Sequence, residues 1–266
     1  MQTIKLGRNG PSVSAFGLGC MGMSGIYGPA DDKESIATIH AALEAGITML
    51  DTADFYGMGH NEMLIREALK AGGRERAFIA VKFGSMRGPD GKILGDDARP
   101  QSVKTFLAYS LRRLGTDYVD LYQPSRVDPA VPIEDTIGAI AEMVKAGYVR
   151  HIGVSEASAA TVRRAHTVHP IAALQIEYSL FSRGIERDIL PTLRELGIAL
   201  VAYGVLSNGL ISDRAEAART APSELRTRRP RFFAENFQKN IALVESLNRI
   251  AREKGASTAQ LAFAWV

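Results

Sequence analysis

Short apolar runs alternate with longer amphipathic segments over most of the chain. The runs have the length of buried strands, and the longer segments repeat their apolar positions every three or four residues, as helices do. Seven such runs are readable, and they start at Phe16, Thr48, Phe78, Tyr118, His151, Ala173 and Ala199. This alternation is typical of a parallel β-sheet whose strands are joined by crossover helices.

A segment of helical period follows each run. The predicted helices cover residues 31–46, 61–71, 100–114, 133–146, 158–168, 187–197 and 236–254. The first of them has acidic residues in its first turn and Gly46 past its end, which are common helix start and stop signals. The repeated strand–helix unit predicts an α/β fold, a (β/α)8 TIM barrel.

The two ends of the chain depart from this repeat. Residues 3–16 contain two short β-like runs around a GRNG turn, which predicts an N-terminal β-hairpin. Residues 257–266 have helical spacing and no strand after them, so we expect the last strand/helix unit of the barrel to be absent from this chain.

Two explanations of the missing unit stay open: either the natural protein continues beyond Val266, or it is itself truncated. We favour the first, because an uncapped helix that ends on Trp265 and Val266 would leave apolar surface and a barrel seam uncovered.

The segment between Leu206 and Glu235 has no clear period. It turns polar and basic, with the sequence RTRRPR from Arg226. We interpret it as a loop over the barrel mouth or a mobile lid, and favour mobility. The length of 266 residues suits one barrel, so a single domain over residues 1–266 is predicted.

Composition and charge exclude several classes of protein. The formal net charge is +3 and 23% of residues are charged, without a long basic run, so nucleic acid is not an expected partner. Cys20 stands alone, which excludes an intramolecular disulfide, and inert packing is its favoured role. Neither a signal-peptide core nor an apolar stretch of membrane-spanning length is present, so we expect a cytoplasmic protein without membrane contact.

Polar residues follow the apolar runs, at the strand ends where parallel barrels carry their active sites. Asp51 and Lys82 end the apolar parts of neighbouring runs, and Tyr56 lies in a glycine-bearing turn that can bring its phenol back over the strand end. An ammonium beside a phenol lowers the phenol's pKa, and a carboxylate keeps that ammonium charged. Tyr56 is therefore a candidate general acid for a carbonyl oxygen during hydride transfer, unless Asp51 and Lys82 form a purely structural ion pair.

Several motifs, in order and across nearly the whole chain, resemble those of the aldo-keto reductase family. They are GLGCMGMSGIYG, DTADFYGMGHNE, VKFG, DLYQ followed by RVDP, IGVSE and QIEYSLFSR. The resemblance implies an eight-stranded β/α barrel that binds NADP(H) without a Rossmann domain, and a catalytic set of Asp, Tyr, Lys and His. Asp51, Tyr56 and Lys82 match three of the four, whereas Ser125 stands at the position of the histidine.

The resemblance also implies residues that contact the cofactor. Ser155 and Gln175 are expected to hold the nicotinamide carboxamide, and Tyr203 is expected to stack on the ring, which would fix the face presented to substrate. Glu156 stands where many members of the family have Asn.

Four further cofactor residues are expected at the ends of the first and last readable strands: Gly19, Met21, Gly204 and Leu206. No metal ligand is predicted. The preference for NADPH rests on the resemblance alone, since the family grips the adenosine 2′-phosphate just after an eighth strand.

Three functions are considered. The leading one is NAD(P)H-dependent reduction of small aldehydes or ketones, with a small-molecule carbonyl compound as partner. The second is a cofactor-binding redox sensor or regulatory subunit with weak turnover. It is considered because Ser125 stands at the histidine position. A serine hydroxyl is shorter than imidazole, and losing one oriented donor costs roughly 3 to 4 kcal/mol of transition-state stabilisation. The third, a Schiff-base lyase using Lys82, leaves the Tyr56 turn and the carboxamide residues without a purpose.

Overall fold

A computed structural model describes residues 1–70, 72–213, 215, 226 and 228–266 of the protein. The chain divides into two compact units. The first contains residues 1–175 and 188–200, and the second contains residues 176–187 and 201–266. We describe each unit by itself.

The strands of the described residues are β1 (Thr3–Lys5), β2 (Ser12–Ser14), β3 (Gly17–Gly19), β4 (Met49–Ala53), β5 (Phe78–Phe83), β6 (Ser85–Arg87), β7 (Ile93–Asp96), β8 (Val119–Pro124), β9 (Val149–Ser155), β10 (Ile171–Glu177) and β11 (Ala199–Tyr203). The helices are α1 (Asp32–Glu44), α2 (His60–Leu69), α3 (Pro100–Leu114), α4 (Ile133–Lys145), α5 (Ala159–Val168), α6 (Ile189–Leu196), α7 (Ala234–Glu253) and α8 (Thr258–Trp265).

Seven strands form one sheet, in the order β3-β4-β5-β8-β9-β10-β11. Each pair from β3 to β10 is parallel, and a helix lies between successive strands along the chain. Strands β5 and β8 are buried almost throughout, which explains why they read as continuous apolar runs rather than as alternating ones. This order of parallel strands with connecting helices supports the predicted α/β class of TIM-like barrel.

The helices begin and end at the expected kinds of residue. The Asp31 side chain accepts a hydrogen bond from the backbone N–H of Glu34 at the start of α1, and Pro100 opens α3, where a missing N–H has no cost. Helix α3 ends at Gly115, whose φ of 66° is readily adopted by glycine. The predicted helix boundaries agree with the structure to within a few residues.

Two short hairpins accompany the main sheet. Strands β1 and β2 pair antiparallel, with Thr3 opposite Ser14. Strands β6 and β7 also pair antiparallel, with Ser85 opposite Asp96. The second hairpin was not predicted, because its strands are three and four residues long and lie within a glycine-rich, polar sequence.

The first strand of the main sheet is shorter than its apolar pattern predicts. The sequence favours a strand from Phe16 to Met21, but β3 ends at Gly19. Cys20 already has helical dihedral angles and precedes a 3-10 turn over Met21–Ser24 that ends at Gly25, with φ of 82°. The apolar run continues past the strand because Cys20 is fully buried, not because the strand itself continues.

The second unit has a core of its own. Leu210 packs with Phe237, Ile241 and Val244 of α7. Helix α8 begins with a capping box in which the Ser257 and Gln260 side chains bond each other's backbone N–H groups. In the described parts of the 206–235 segment, 3-10 turns cover Ser207–Gly209 and Pro230–Phe232. Residues 214, 216–225 and 227 of the predicted loop or lid lie outside the described ones.

Among the described residues, no helix combines the length and the apolar character needed to cross a bilayer.

Candidate active site

The parallel pairing of β4 with β5 brings Asp51 and Lys82 together. Ala53 lies opposite Lys82 in the ladder, so the two charged side chains come from adjacent strands, near their carboxyl ends. The Lys82 ammonium lies 2.6 Å from both carboxylate oxygens of Asp51. Both side chains are largely out of solvent, with 7% of Lys82 and 15% of Asp51 exposed. The pair is therefore shielded from solvent, and the nearby carboxylate favours the charged form of the lysine.

Tyr56 is carried by the turn that follows β4. Its 3-10 segment, Tyr56–Gly59, includes Gly57 and Met58 at φ of 55° and 52°, which turns the chain sharply back. The Tyr56 ring is 7% exposed, and its centroid lies 5.2 Å from the Lys82 ammonium. The structure thus brings together the three residues that the sequence singled out around a proton donor.

The electrostatics of the phenol differ from the sequence expectation. Burial has the largest effect and raises the pKa of Tyr56, while the Lys82 charge and its hydrogen bond to the phenol act to lower it. The net pKa is above that of free tyrosine, so the prediction of a lowered value is wrong: desolvation of a phenolate outweighs one ammonium whose charge is already paired with Asp51. Burial likewise disfavours the charge on Lys82, but Asp51 and Tyr56 more than offset it and raise the pKa of the lysine.

Two buried glutamine side chains form a hydrogen-bonded chain that ends at the Asp51 carboxylate. The Gln175 side chain donates to Asp51 Oδ1 at 2.9 Å, and the Gln123 side chain donates to Gln175 Oε1 at 3.2 Å. Gln123 and Gln175 are 1% and 5% exposed. Gln175 was predicted at the site and Gln123 was not, although Gln123 lies two residues before the predicted Ser125, a spacing that puts side chains on one face of an extended chain.

Ser125 follows the carboxyl end of β8 and is buried. Its backbone N–H donates to the carbonyl of Phe83, the residue after Lys82, at 2.8 Å. Its own carbonyl accepts from the Arg126 guanidinium at 2.6 Å. The position predicted for the fourth member of the set therefore lies at the strand end beside β5.

Ser155 and Glu156 lie at the end of β9, next to Gln175 in the sheet. Ser155 is buried and is the register partner of Gln175. The backbone N–H of Glu156 donates to the Gln175 carbonyl at 2.9 Å, and Glu156 has a φ of 52°, which few residues other than glycine adopt. This bend turns the chain away from the sheet directly after Ser155.

Gly19 and Met21 lie at the end of β3. Gly19 is the register partner of Asp51, and a Cβ added to Gly19 would meet no atom within 4 Å, so the backbone borders open space there. Met21 opens the 3-10 turn that follows. The fully buried Asn61 ties this turn to the neighbouring strand, since its amide donates to the Cys20 carbonyl at 2.8 Å and accepts from the Thr52 hydroxyl at 2.7 Å.

Tyr203, Gly204 and Leu206 belong to the second unit. Tyr203 ends β11, and its carbonyl accepts from the backbone N–H of Tyr178 at 3.2 Å. Gly204 has a φ of 68°, and an added Cβ would lie 3.3 Å from the Glu177 side chain. Leu206 precedes the 3-10 turn at Ser207.

A second group of interacting charged residues flanks the Tyr56 turn in the sequence. Glu62 of α2 is fully buried and forms an ion pair with Arg113 of α3. Asp54, two residues before Tyr56, has a buried Oδ1 without a hydrogen-bond partner. Burial raises the pKa of Asp54 to about 7, the negative charge of Glu62 adds to the rise, and the Gly84 backbone N–H and Arg113 oppose it. Apart from the acidic residues of DTADFYGMGHNE, no pattern in the sequence indicates this group.

Comparison with known proteins agrees with this arrangement. Residues 15–266 match the sequence model of the Aldo/keto reductase family. The chain belongs to that family, and with it to the oxidoreductases that act on carbonyl groups.

Individual relatives point the same way. Over 269 residues the chain is 45% identical to a probable aldo-keto reductase 1 from Glycine max, covering 100% of this chain and 77% of that protein. It is 32% identical to a glycerol dehydrogenase from Gluconobacter oxydans, with a TM-score of 0.89 over 99% of this chain and 82% of that one. It is 33% identical to the holo form of an aldo-keto reductase from Bacillus halodurans, with a TM-score of 0.73 over 80% of this chain and 70% of that one.

Proposed function

We propose that the protein reduces aldehydes or ketones to alcohols with NADPH, and that Tyr56 is the general acid. The observation that carries the proposal is the contact of a buried phenol with a lysine whose ammonium lies 2.6 Å from both oxygens of Asp51. A raised pKa keeps Tyr56 protonated at neutral pH, which is the state that a proton donor needs.

The residues of the first unit suit a nicotinamide. A carboxamide needs both a donor and an acceptor, and the buried Ser155 hydroxyl and Gln175 amide, in register on neighbouring strands, supply both. Gly19 leaves open space beside Asp51. We assign Ser155, Gln175, Glu156, Gly19 and Met21 to cofactor binding on these grounds.

The roles of Tyr203, Gly204 and Leu206 in cofactor binding stay predictions, as does the cytoplasmic location.

Each charged residue then has a chemical role. A bound nicotinamide supplies a hydride to the carbonyl carbon. Tyr56 gives its phenolic proton to the carbonyl oxygen, which carries the developing negative charge. Lys82 stabilises the phenolate left behind, and Asp51 holds the ammonium in place and charged.

Lys82 is poorly suited to the Schiff-base chemistry considered above. An imine forms from a neutral amine, whereas Asp51 and Tyr56 raise the pKa of Lys82 and keep it an ammonium. The structure therefore favours a role for Lys82 in positioning charge.

The proposal is tested by following NADPH oxidation with a panel of aromatic and aliphatic aldehydes and ketones. We expect Tyr56→Phe to lower turnover by about 10²- to 10⁴-fold with little change in NADPH binding measured by fluorescence. Tyr109→Phe, in a tyrosine of α3 that is 58% exposed, is the matched control and keeps full turnover. Retained turnover in Tyr56→Phe would refute the assignment. Cofactor binding without turnover in the wild type would instead favour the sensor function that Ser125 suggests.

A further inference from the structure

Three polar side chains of the sheet form a hydrogen-bonded layer that includes Asp51 and Gln175 of the proposed active site. It consists of Asp51 on β4, Gln123 on β8 and Gln175 on β10. In the sheet order these strands alternate with β5 and β9, and alternate strands of a parallel barrel contribute side chains to one interior layer. Such layers are usually filled with Val, Ile or Leu, so two buried glutamines here need an explanation.

The two hydrogen bonds of Gln175 agree on one orientation of its amide. Its Nε2 faces a carboxylate oxygen of Asp51 at 2.9 Å, and its Oε1 faces the Nε2 of Gln123 at 3.2 Å. If the Gln175 amide were turned over, its oxygen would face the carboxylate and its nitrogen would face another nitrogen. Asp51 and Gln123 together therefore leave only one satisfactory orientation.

Gln123 lowers the stability of the folded state at this position. The Oε1 of Gln123 is buried without a hydrogen-bond partner, and such a group destabilises the folded state. In addition, the Gln123 side chain packs closely on Gly153, since a Cβ there would lie 2.7 Å from that oxygen and 3.3 Å from the Gln123 Cβ. A leucine at position 123 would avoid the unpaired oxygen, so the amide has a use that packing does not supply.

We infer that Gln123 is a positioning residue, which fixes the Gln175 amide so that Gln175 donates to Asp51 and keeps a second N–H in a constant direction at the site. Gln123 is the register partner of Lys82, but its side chain donates its hydrogen bond to Gln175, so the proposed effect on the site passes through Gln175. Its effect on the cofactor and on turnover rests on the proposed function, whereas the orientation of the Gln175 amide is a property of the protein alone.

The first test needs no cofactor. In protein labelled with [¹⁵N]glutamine, the side-chain NH₂ signals of Gln175 are assigned by their loss in Gln175→Met, and their exchange with solvent is measured. We expect slow exchange in the wild type and exchange at least tenfold faster in Gln123→Met, since the bond that holds Oε1 is gone. Thr136→Val removes a buried hydroxyl bond to Ala98 in another part of the unit and serves as the control for general loosening.

The second test uses a variant whose donor depends on pH. The Gln123→Glu carboxyl, when protonated, can donate to Gln175 Oε1 as the amide does; when ionised, it only accepts, which favours the opposite orientation of Gln175. NADPH binding by Gln123→Glu should approach the wild type at low pH and weaken about tenfold as pH rises. Gln123→Met should bind about five- to tenfold more weakly than the wild type at every pH, the effect of one lost hydrogen bond.

The results separate this inference from the proposed function. Unchanged exchange of the Gln175 amide in Gln123→Met, or an equal change in Thr136→Val, overturns the role of Gln123 whatever the enzyme does. Retained turnover in Tyr56→Phe overturns the general acid but leaves the amide exchange unaffected. Faster exchange confined to Gln123→Met, together with pH-dependent recovery in Gln123→Glu, supports the positioning role.

Discussion

Asp54 makes stability depend on pH in a direction opposite to that of most carboxylates. Its pKa is raised to about 7 by burial first and by the charge of Glu62 second. In the unfolded chain the group titrates near the usual value for aspartate, about 3.9. Between these two values the folded state holds a proton that the unfolded state has released, so stability is lost as pH rises from about 4 to about 7 and stays constant above.

The size of this effect follows from the shift. A rise in the pKa from the usual 3.8 to about 7 corresponds to at most about 4 kcal/mol of stability. Asp54 is partly exposed, and solvent screening reduces the figure, so we expect roughly 2 to 4 kcal/mol. Asp54→Asn keeps the shape of the side chain and an oxygen that can accept from Gly84, but it cannot ionise.

The assay is urea unfolding of the wild type and Asp54→Asn at pH 4.5, 6 and 8. We expect similar stability at pH 4.5 and a more stable variant at pH 8, with the difference growing through pH 6. Asp117→Asn removes one exposed carboxylate from the loop between α3 and β8, and controls for the change in net charge. A difference between wild type and Asp54→Asn that is constant with pH, or a variant that is less stable at pH 8, would refute the reasoning.

Three further predictions concern Arg113, Cys20 and Ser125. Arg113→Ala leaves the Glu62 carboxylate buried and unpaired, and should lower the free energy of unfolding by about 3 to 5 kcal/mol in urea titrations, whereas Arg113→Lys should lose less. Burial raises the pKa of the Cys20 thiol to about 12, so it should resist a thiol reagent at pH 8 until urea unfolds the chain; rapid labelling of the native protein would contradict this. Ser125→His adds a donor at the strand end and should raise aldehyde turnover at least tenfold at unchanged NADPH affinity, and a loss of turnover in the folded variant would count against it.

The order of strands and helices could be predicted because burial on both sides leaves a strong pattern. Strands β5 and β8 lack exposed positions and are visible as runs of apolar residues. The β6–β7 hairpin could not be predicted in the same way, because Ile93 and Leu94 are exposed and nothing in the pattern distinguishes them from a loop.

The candidate site could be predicted only where a residue lies at the end of a run. Asp51 and Lys82 were recognisable because each interrupts an apolar strand, and the glycines around Tyr56 indicated a turn. Gln123 and Arg113 were not recognisable, because their partners are distant in sequence: Gln175 lies 52 positions from Gln123, and Glu62 lies 51 positions from Arg113. Only the register of the sheet brings the first pair together, and only the packing of α2 on α3 brings the second together.

In the proposed mechanism, the raised pKa of Tyr56 determines when its neighbours would assist catalysis. A phenol that loses its proton only at alkaline pH is fully available as an acid at neutral pH, so the site does not need to lower its ground-state pKa. The contribution of Lys82 comes when the proton leaves, because the burial that raises the pKa of Tyr56 also makes an unpaired phenolate costly. Asp51 would hold that ammonium where the phenolate forms, and Gln175 would hold the Asp51 carboxylate in turn. On this reasoning turnover stays constant across neutral pH and falls only on the alkaline side, as Tyr56 loses its proton before substrate binds.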